Sequence, residues 1–181
     1  MVLLCAFQLY NVHLMLVSGI GEAYDPQTNT GTVGRNYSYQ NLNRVVLFFD
    51  KDVQANGFIG IGGAGTTMDD LNGNQLDNAK AGFVGGGLVW ARQPGAGPVR
   101  GINVPSGTPS WGAAWKKAAA DNFRHNFYYE VQGACMSYRQ HYLSLDPNYK
   151  DSFGRPLLRM TFDWHPNEIK ASQFFVDKAM Q

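Results

Sequence analysis

A glycine-rich stretch at residues 57–67, GFIGIGGAGTT, contains a literal match to G-x-G-x-x-G between Gly60 and Gly65. In a dinucleotide-binding loop this pattern follows a strand and opens a helix, because the amides and the dipole of the helix N-terminus hold the pyrophosphate. Here Gly65 is followed by TTMDDLNGNQLDNAKAG, in which Asp-Asp and Asn-Gly break a long helix. Asp77 is the acidic residue at a suitable distance along the sequence, but no predicted strand ends there. The sequence therefore favours a glycine-rich surface or interface loop over a dinucleotide site.

The histidines and cysteines lack the spacings that metal sites use. There is no HxxxH, HExxH or CxxC pattern among them, so we expect no metal site. Two cysteines are too few for a disulfide framework, and we interpret each as a small buried hydrophobe. The residues concerned are His13, His125, His141, His165, Cys5 and Cys135.

The elements that must position any site follow from the pattern of apolar, β-branched and turn-forming residues. Strand-like runs separated by long loops, with few helices, are typical of an α+β fold with a largely antiparallel β-sheet and flanking helices. The predicted strands are residues 44–49, 81–92, 126–136 and two within 140–164, joined by a polar turn at 151–154. The predicted helices are residues 3–16, 111–123 and a segment from Pro166, whereas residues 56–79 are loop-like. The glycines inside residues 81–92 predict a bulge or a close backbone approach.

The composition is that of a globular domain with little charge. Hydrophobic residues make up 44% of the 181 residues. Charged residues make up 16%, against roughly 25% in an average soluble domain. The net charge is +1 and the basic residues are scattered, so the sequence predicts no nucleic-acid partner.

The chain opens on an apolar run, MVLLCAFQLYNVHLMLVSG, that looks like a secretory signal at first sight. No basic residue precedes the run, since Arg35 is the first one, and Gln8, Asn11 and His13 interrupt it. We therefore predict a buried helix rather than a signal peptide or a transmembrane span. Because the chain begins and ends in predicted helices, we expect it to be a fragment of a longer protein.

Three segments together resemble the glucose–methanol–choline (GMC) family of flavoprotein oxidoreductases. Ser18-Gly19-Ile20-Gly21 is similar to the turn that closes a helix of the family's flavin domain, and Val33-Gly34-Arg35-Asn36 is similar to the V-G-x-N that follows it. Residues 145–165, LDPNYKDSFGRPLLRMTFDWH, resemble the family's hairpin through the pattern D-x-x-G-x-P at Asp151, Gly154 and Pro156. The stretch FIGIGGAG…DDLNGN…AGFVGGG is similar to one branch, the flavoprotein subunits of membrane-associated gluconate, glucose and fructose dehydrogenases.

The resemblance implies an internal fragment of an FAD-dependent oxidoreductase that acts on the CH–OH group of a sugar or sugar acid and passes hydride to the flavin. It implies that residues 1–43 are the tail of the flavin-binding domain with its connecting loop. Residues 44–181 would be the substrate-binding sheet domain, truncated at its C-terminus. The family's catalytic histidine has no counterpart in these residues, so we assign no catalytic residue and expect the chain alone to be inactive.

For the cofactor, the resemblance points to two short segments, which comprise Ser18, Gly19, Gly21, Gly34, Arg35 and Asn36. Each segment has an alternative interpretation without cofactor contact. Residues 18–21 would then form a tight helix-to-loop turn, and residues 34–36 a turn with asparagine in a permissive conformation.

For the substrate, Trp90, Trp164 and His165 are the candidates, since tryptophan can stack on a sugar ring. Trp111 and Trp115 are spaced i,i+4 in an apolar helix, so core packing is the favoured interpretation for these two. His165 follows a strand and precedes a helix, where a polar group can face a cleft. A helix-start histidine that is hydrogen-bonded to backbone is the alternative for His165.

The branch also implies partners and a location: a cytochrome c subunit and a small subunit, at the periplasmic face of the inner membrane. A different function class remains open, a free-standing, non-enzymatic β-rich module that binds carbohydrate through its aromatic residues and glycine loops. Such a module is expected to have capped elements at both ends, and this chain has none. The sequence therefore favours the oxidoreductase.

Overall fold

The computed structural model describes residues 3–55, 65–93 and 102–181. These residues form four helices and six strands, and every pairing between the strands is antiparallel. The α+β fold expected from the sequence is therefore confirmed. In chain order the elements are α1 (Gln8–Val17), β1 (Asn41–Phe48), β2 (Gly65–Met68), α2 (Asn78–Ala81), β3 (Gly87–Arg92), α3 (Gly112–Asn122), β4 (Asn126–Gly133), β5 (Tyr142–Lys150), β6 (Pro156–Thr161) and α4 (Pro166–Ala179).

The chain divides into two compact units, each built from two separate segments. Unit 1 comprises Met1–Tyr39 and Cys135–His165, and unit 2 comprises Gln40–Ala134 and Pro166–Gln181. The predicted boundary between a flavin-binding domain and a substrate-binding domain, at residues 43 and 44, stays a prediction.

Unit 2 contains a four-stranded sheet in the order β1-β4-β3-β2. Its register pairs Arg44 with Glu130 on β4, and Glu130 in turn with Trp90 on β3. Because directly opposed residues lie on the same face of a sheet, these three side chains share one face. Val89 and Val131 are also paired, and they lie on the opposite face.

The face with Val89 and Val131 forms the core of unit 2. Helix α4 packs against β1 and β4 there, and Phe175 of this helix is fully buried. The approach is close enough that a Cβ atom on Gly87 would lie 2.7 Å from Val131 Cγ1 and 3.0 Å from Phe175 Cζ. The close backbone approach expected among the glycines of residues 81–92 is found at Gly86, where a Cβ atom would collide with the backbone nitrogen of Gly73, whereas the strand begins only at Gly87. Phe83 and Ala171 complete the buried cluster.

Unit 1 contains α1 and the β5–β6 hairpin, whose strands pair from Tyr142↔Thr161 onward. The hairpin turns at the predicted residues 151–154. There the Asp151 carboxylate accepts hydrogen bonds from the amides of Phe153 and Arg155, at 2.8 and 2.9 Å. Asparagine and aspartate favour turns for this reason, since their side chains can replace backbone acceptors.

Two predictions about the N-terminal segment are wrong. Helix α1 has no buried residue, and Tyr10 on it is 64% exposed, so it is not the buried helix expected from its apolar sequence. Cys5 is exposed rather than buried, because the helix begins only at Gln8 and leaves this residue outside it. No helix among the described residues is long and apolar enough to cross a membrane.

Trp111 also departs from its prediction. It is the N-cap residue of α3, with an extended backbone, and its side chain is 81% exposed. Since Trp111 precedes the helix, the i,i+4 relation with Trp115 does not place both rings on one helix face. Core packing is therefore wrong for Trp111.

The G-x-G-x-x-G match lies outside the described residues, except for its last glycine. Gly65 begins β2, so a strand follows the match in place of the helix that a dinucleotide loop requires. This strand falls within residues 56–79, which the sequence predicts to be loop-like. The next helix, α2, is only four residues long.

Candidate functional site

The first candidate cofactor segment is the turn after α1. Ile20 donates its amide to the Met15 carbonyl at 2.9 Å, and Gly19 donates to Leu16 at 3.4 Å, with Gly19 at φ +63°. This pair of bonds is a Schellman motif, which ends a helix on a left-handed residue. The tight turn expected at residues 18–21 is confirmed, and the amides of Gly19 and Ile20 are used within it.

Gly21 lies one residue beyond this motif and is held close to the second cofactor segment. It has φ +77°, and a Cβ atom there would lie 2.8 Å from Val33 Cγ2. The space at Gly21 is therefore filled by this chain's own valine. A role for Ser18, Gly19 and Gly21 in cofactor binding stays a prediction.

The second candidate segment, residues 34–36, runs beside the start of β5. The Leu143 amide donates to the Gly34 carbonyl at 2.8 Å, and the Tyr37 amide donates to the His141 carbonyl at 2.9 Å. Gly34 has φ +89°, and a Cβ atom on it would collide with the Leu143 carbonyl oxygen. A side chain is thus excluded at Gly34 by backbone, which explains the glycine without invoking a ligand.

Asn36 and His141 carry buried polar atoms without a partner. Asn36 has a left-handed backbone at φ +52°, as the permissive-turn alternative predicts, and its Oδ1 atom is buried. His141 is 3% exposed, and its Nδ1 atom is buried as well. Neither atom has a hydrogen-bond partner among residues 3–55, 65–93 and 102–181. Buried polar atoms in native proteins are nearly always paired with protein, ordered water or a ligand, so this pair marks a place of interest.

Around His141 lies an aromatic cluster that includes two of the predicted substrate residues. His165 stacks on Tyr138 with ring centroids 4.2 Å apart, and Tyr138 meets His141 edge-on at 5.2 Å. Phe162 links His141 to Trp164, at 4.6 and 5.1 Å. We call these five residues the aromatic cluster. The structure thus brings Trp164 and His165 into one cluster with His141, whose carbonyl pairs with the amide of Tyr37, the residue after Asn36.

The phenol of Tyr37 borders this cluster through an edge-on contact with Phe162 at 5.9 Å. Burial raises the pKa of the Tyr37 phenol, with smaller contributions from Tyr39 and Cys135. Tyr37 therefore stays protonated at neutral pH and can act as a hydrogen-bond donor or acceptor there.

The third predicted substrate residue, Trp90, lies in unit 2 on the sheet face that α4 does not cover. Beside it, Arg44 and Arg92 both form ion pairs with Glu130, each through its Nε atom and each to a different carboxylate oxygen. The Cζ atoms of the two arginines lie 4.8 and 5.0 Å from the ring centroid of Tyr128. We call this set the polar face: Arg44, Trp90, Arg92, Tyr128 and Glu130.

Electrostatics on the polar face keep all three charges in place. Burial alone would raise the pKa of the Glu130 carboxyl, but hydrogen bonds from Arg92 and Arg44 outweigh it and lower that pKa. The hydrogen bond to Glu130 in turn raises the pKa of Arg92, against the opposing effect of burial. Glu130 is only 2% exposed. The polar face therefore holds two cations and one anion.

Sequence reasoning missed His141, Glu130 and the two arginines. No local sequence pattern marks His141, since its contacts come from residues 37, 138 and 162. Strand alternation did contain a signal for the polar face, because Trp90 and Arg92 on β3, like Tyr128 and Glu130 on β4, are spaced by two. No group of three or more histidine, cysteine, aspartate or glutamate residues in the described part of the chain could hold a metal ion.

Two known proteins are similar to this chain. It is 53% identical over 178 residues to the gluconate 2-dehydrogenase flavoprotein of Pantoea cypripedii, a match that covers 98% of the chain and 29% of that protein. It is 24% identical over 154 residues to the 2-methyl-1,2-propanediol dehydrogenase of Mycolicibacterium austroafricanum, which covers 84% of the chain and 27% of that protein. The chain thus spans less than a third of the length of each of these two relatives. No protein-family model and no solved structure matches it.

Proposed function

We propose that this chain is part of an FAD-dependent oxidoreductase of the GMC family that oxidises the CH–OH group of a sugar or sugar acid. The observation that carries the proposal is the 53% identity to a gluconate 2-dehydrogenase flavoprotein along 98% of the chain. The second relative, a dehydrogenase of a diol, also acts on an alcohol by its name. The chemistry that a bound FAD supplies is acceptance of hydride from the alcohol carbon.

The chemical groups that unit 1 presents are of the kinds that a flavin ring needs. An isoalloxazine ring needs flat apolar surface and hydrogen-bonding groups at its polar edge. Unit 1 offers the ring faces of the aromatic cluster, together with Asn36 Oδ1 and His141 Nδ1, which lack partners among the described residues. We assign Asn36, Gly34 and Arg35 as the residues of this chain that hold the cofactor, with Ser18, Gly19 and Gly21 shaping the turn beside them.

The candidate substrate residues are Trp164 and His165, which lie in unit 1, and Trp90, which lies in unit 2. Trp164 is 42% exposed and retains a free ring surface for stacking. Trp90 lines a pocket of about 130 Å³ with Gly65, Thr66 and Thr67. In this proposal the chain orients the substrate and shields it from water, whereas the proton acceptor comes from residues beyond this chain.

The full-length protein that contains this chain provides the test. We expect it to carry a flavin, and we expect the flavin absorbance to bleach when gluconate is added under anaerobic conditions. Periplasmic location and association with a cytochrome c subunit and a small subunit belong to the same proposal, and cell fractionation followed by affinity purification tests them. Sugar binding without a flavin would instead favour the non-enzymatic carbohydrate-binding module.

A matched pair of variants connects the cofactor to unit 1. Asn36 and Asn29 both have left-handed backbones, at φ +52° and +60°. Asn29 accepts a hydrogen bond from the Tyr24 hydroxyl, so its side-chain oxygen already has a partner. We expect Asn36→Ala to lower the flavin content of the purified protein, whereas Asn29→Ala leaves it unchanged. Equal flavin content in both variants would remove Asn36 from the cofactor site.

A further inference from the structure

We propose that the polar face of unit 2 binds the carboxylate of the substrate through Arg44 and Arg92, so that the enzyme selects sugar acids over neutral sugars. The inference rests on the proposed function and deepens it, because it names the substrate class and the residues that determine it. It makes Glu130 a positioning residue that acts through the two arginines.

The first argument is charge balance. The polar face holds two guanidinium groups and one carboxylate, which leaves one unit of positive charge. Among the described strand residues that share this face, Arg44, Arg92 and Glu130 are the only ionisable acids and bases that would be charged at neutral pH. One added carboxylate would neutralise the set, whereas a neutral sugar would leave it positive.

The second argument is donor supply. Glu130 receives only the Nε–H of each arginine, and the described residues provide no hydrogen-bond acceptor for the Nη groups of either one. Arginine presents five donors in a planar fork that suits a carboxylate. The exposed fractions are 47% for the Arg44 side chain and 20% for that of Arg92, against 3% for Glu130. The anion is thus buried behind two cations that remain open to a ligand.

The third argument is preorganisation. Two arginines repel each other when they are brought together, but Glu130 bridges them and the Tyr128 ring lies under both. Fixing the guanidinium groups before the ligand arrives removes much of the entropy cost of binding. A pair of arginines that served stability alone would not require that both keep Nη donors without an acceptor in the described part of the chain.

The fourth argument is the neighbour on the next strand. Trp90 lies directly opposite Glu130, one strand spacing away, which is about 4.8 Å. Thr67 lies opposite Trp90 on β2. A ligand whose carboxylate contacts the arginines would therefore place its hydroxyl-bearing carbons over the tryptophan ring and near a threonine. A sugar acid has this sequence of groups, and a simple carboxylic acid does not.

Steady-state kinetics of the full-length flavoprotein with an artificial electron acceptor test the proposal. Gluconate and gluconamide, its neutral amide, are compared in the wild type and in Arg92→Gln and Arg44→Gln. We expect each variant to raise the KM for gluconate about 10- to 100-fold, the range for loss of a charge-assisted hydrogen bond. The kcat for gluconate and the KM for gluconamide should change less than about threefold. Arg124→Gln, the same change at an exposed arginine outside the sheet, should alter neither substrate.

Three outcomes would overturn the proposal. One is an equal rise in KM for both substrates, and another is a fall in kcat for both with a lowered Tm, which indicates a structural ion triad. The third is a wild-type enzyme that uses gluconamide as well as gluconate, which leaves the dehydrogenase function intact. A wild type that oxidises neither compound and carries no flavin would refute the proposed function itself.

Inhibition of the wild type keeps the proposal testable if the variants do not fold. Hexanoate should inhibit gluconate oxidation competitively, and added salt should weaken this inhibition, since exposed charge pairs are screened. Hexanamide should inhibit at least about tenfold less strongly, as expected from the loss of one charge-assisted interaction. Equal inhibition by the two compounds would contradict carboxylate recognition by this face.

Discussion

The two units treat their buried polar groups in opposite ways. In unit 2 the buried carboxylate of Glu130 has a cation on each oxygen. In unit 1 the buried atoms His141 Nδ1 and Asn36 Oδ1 have no partner among the described residues. An unpaired buried polar group costs about 1–3 kcal/mol, so unit 2 is satisfied by its own strands and unit 1 carries a cost in this state. The comparison shows that unit 2 pairs its buried charge through the register of its sheet, whereas unit 1 leaves two buried polar atoms without a partner among its described residues.

The largest loss in the free energy of unfolding is expected when the paired carboxylate of Glu130 is removed. Glu130→Ala leaves two neighbouring, partly exposed guanidinium groups without their common anion, and we expect a loss of about 1.5–3 kcal/mol in the free energy of unfolding, the range for hydrogen bonds to charged groups. Urea denaturation measures it. Glu22→Ala is the control, because Glu22 is exposed. If both variants lose the same small amount, the pairing in unit 2 does not stabilise the protein.

A smaller loss in the free energy of unfolding is expected when a side chain is added at a glycine of unit 1. Gly34 and Gly154 both have left-handed backbones, at φ +89° and +79°. A Cβ atom would meet the Leu143 carbonyl at Gly34, but nothing within 4 Å at Gly154. The strain of a left-handed alanine, about 1–2 kcal/mol, applies to both. We therefore expect Gly34→Ala to cost at least about 1 kcal/mol more than Gly154→Ala, the lower range for overpacking.

That difference is measured by thermal or urea unfolding of the two variants. Equal losses would mean that residues 34 and 143 can separate at no cost. The backbone pairing that holds residues 34 and 37 beside residues 143 and 141 would then be loose, and the contrast between the two units would weaken.

The sequence predicted the parts of this fold that depend on local pattern. The hairpin turn at residues 151–154, the helix from Pro166 and the strands around 44–49 and 126–136 all follow from composition and turn residues. The helix-ending turn at residues 18–21 was also predictable, because glycine is the usual residue at a left-handed C-cap. These features need no knowledge of distant partners.

The parts that the sequence did not reveal depend on distant pairing. Glu130 meets Arg44 and Arg92 only because β4 lies between β1 and β3 in a specific register, which long-range packing sets. His141 becomes notable only when residues 37, 138 and 162 contact it. Trp111 illustrates an error in a predicted helix boundary. Helix α3 begins one residue later than predicted, so Trp111 lies outside the helix and its ring is exposed.

The comparison predicts that replacing His141 by phenylalanine stabilises the protein, whereas the same replacement at His125 destabilises it. Replacing a buried polar group that lacks a partner with an apolar ring removes its desolvation cost, so His141→Phe should raise the free energy of unfolding by about 1 kcal/mol. His125→Phe is the matched control, because His125 Nδ1 lies 2.7 Å from the Val53 carbonyl and loses that bond. We expect the control to lose about 1 kcal/mol. Flavin content of the His141 variant should fall, and a variant that is both less stable and fully loaded with flavin would contradict the distinction between the units.

The smallest effect is the dependence of the Glu130 network on pH. The arginines hold the folded-state pKa of Glu130 below its ordinary value of 4.5, against burial, which acts in the other direction. A group whose pKa is lowered on folding contributes stability above its unfolded value, and that contribution is lost as pH falls through the folded value. Wild type should therefore exceed Glu130→Gln in unfolding free energy at neutral pH, and the gap should narrow only below about 4.5, the unfolded value. Urea denaturation at a series of pH values measures the gap. If the difference in unfolding free energy between wild type and Glu130→Gln stays constant into acid, the stabilisation by Glu130 does not depend on its charge. The arginines would then need no anion to hold them in place.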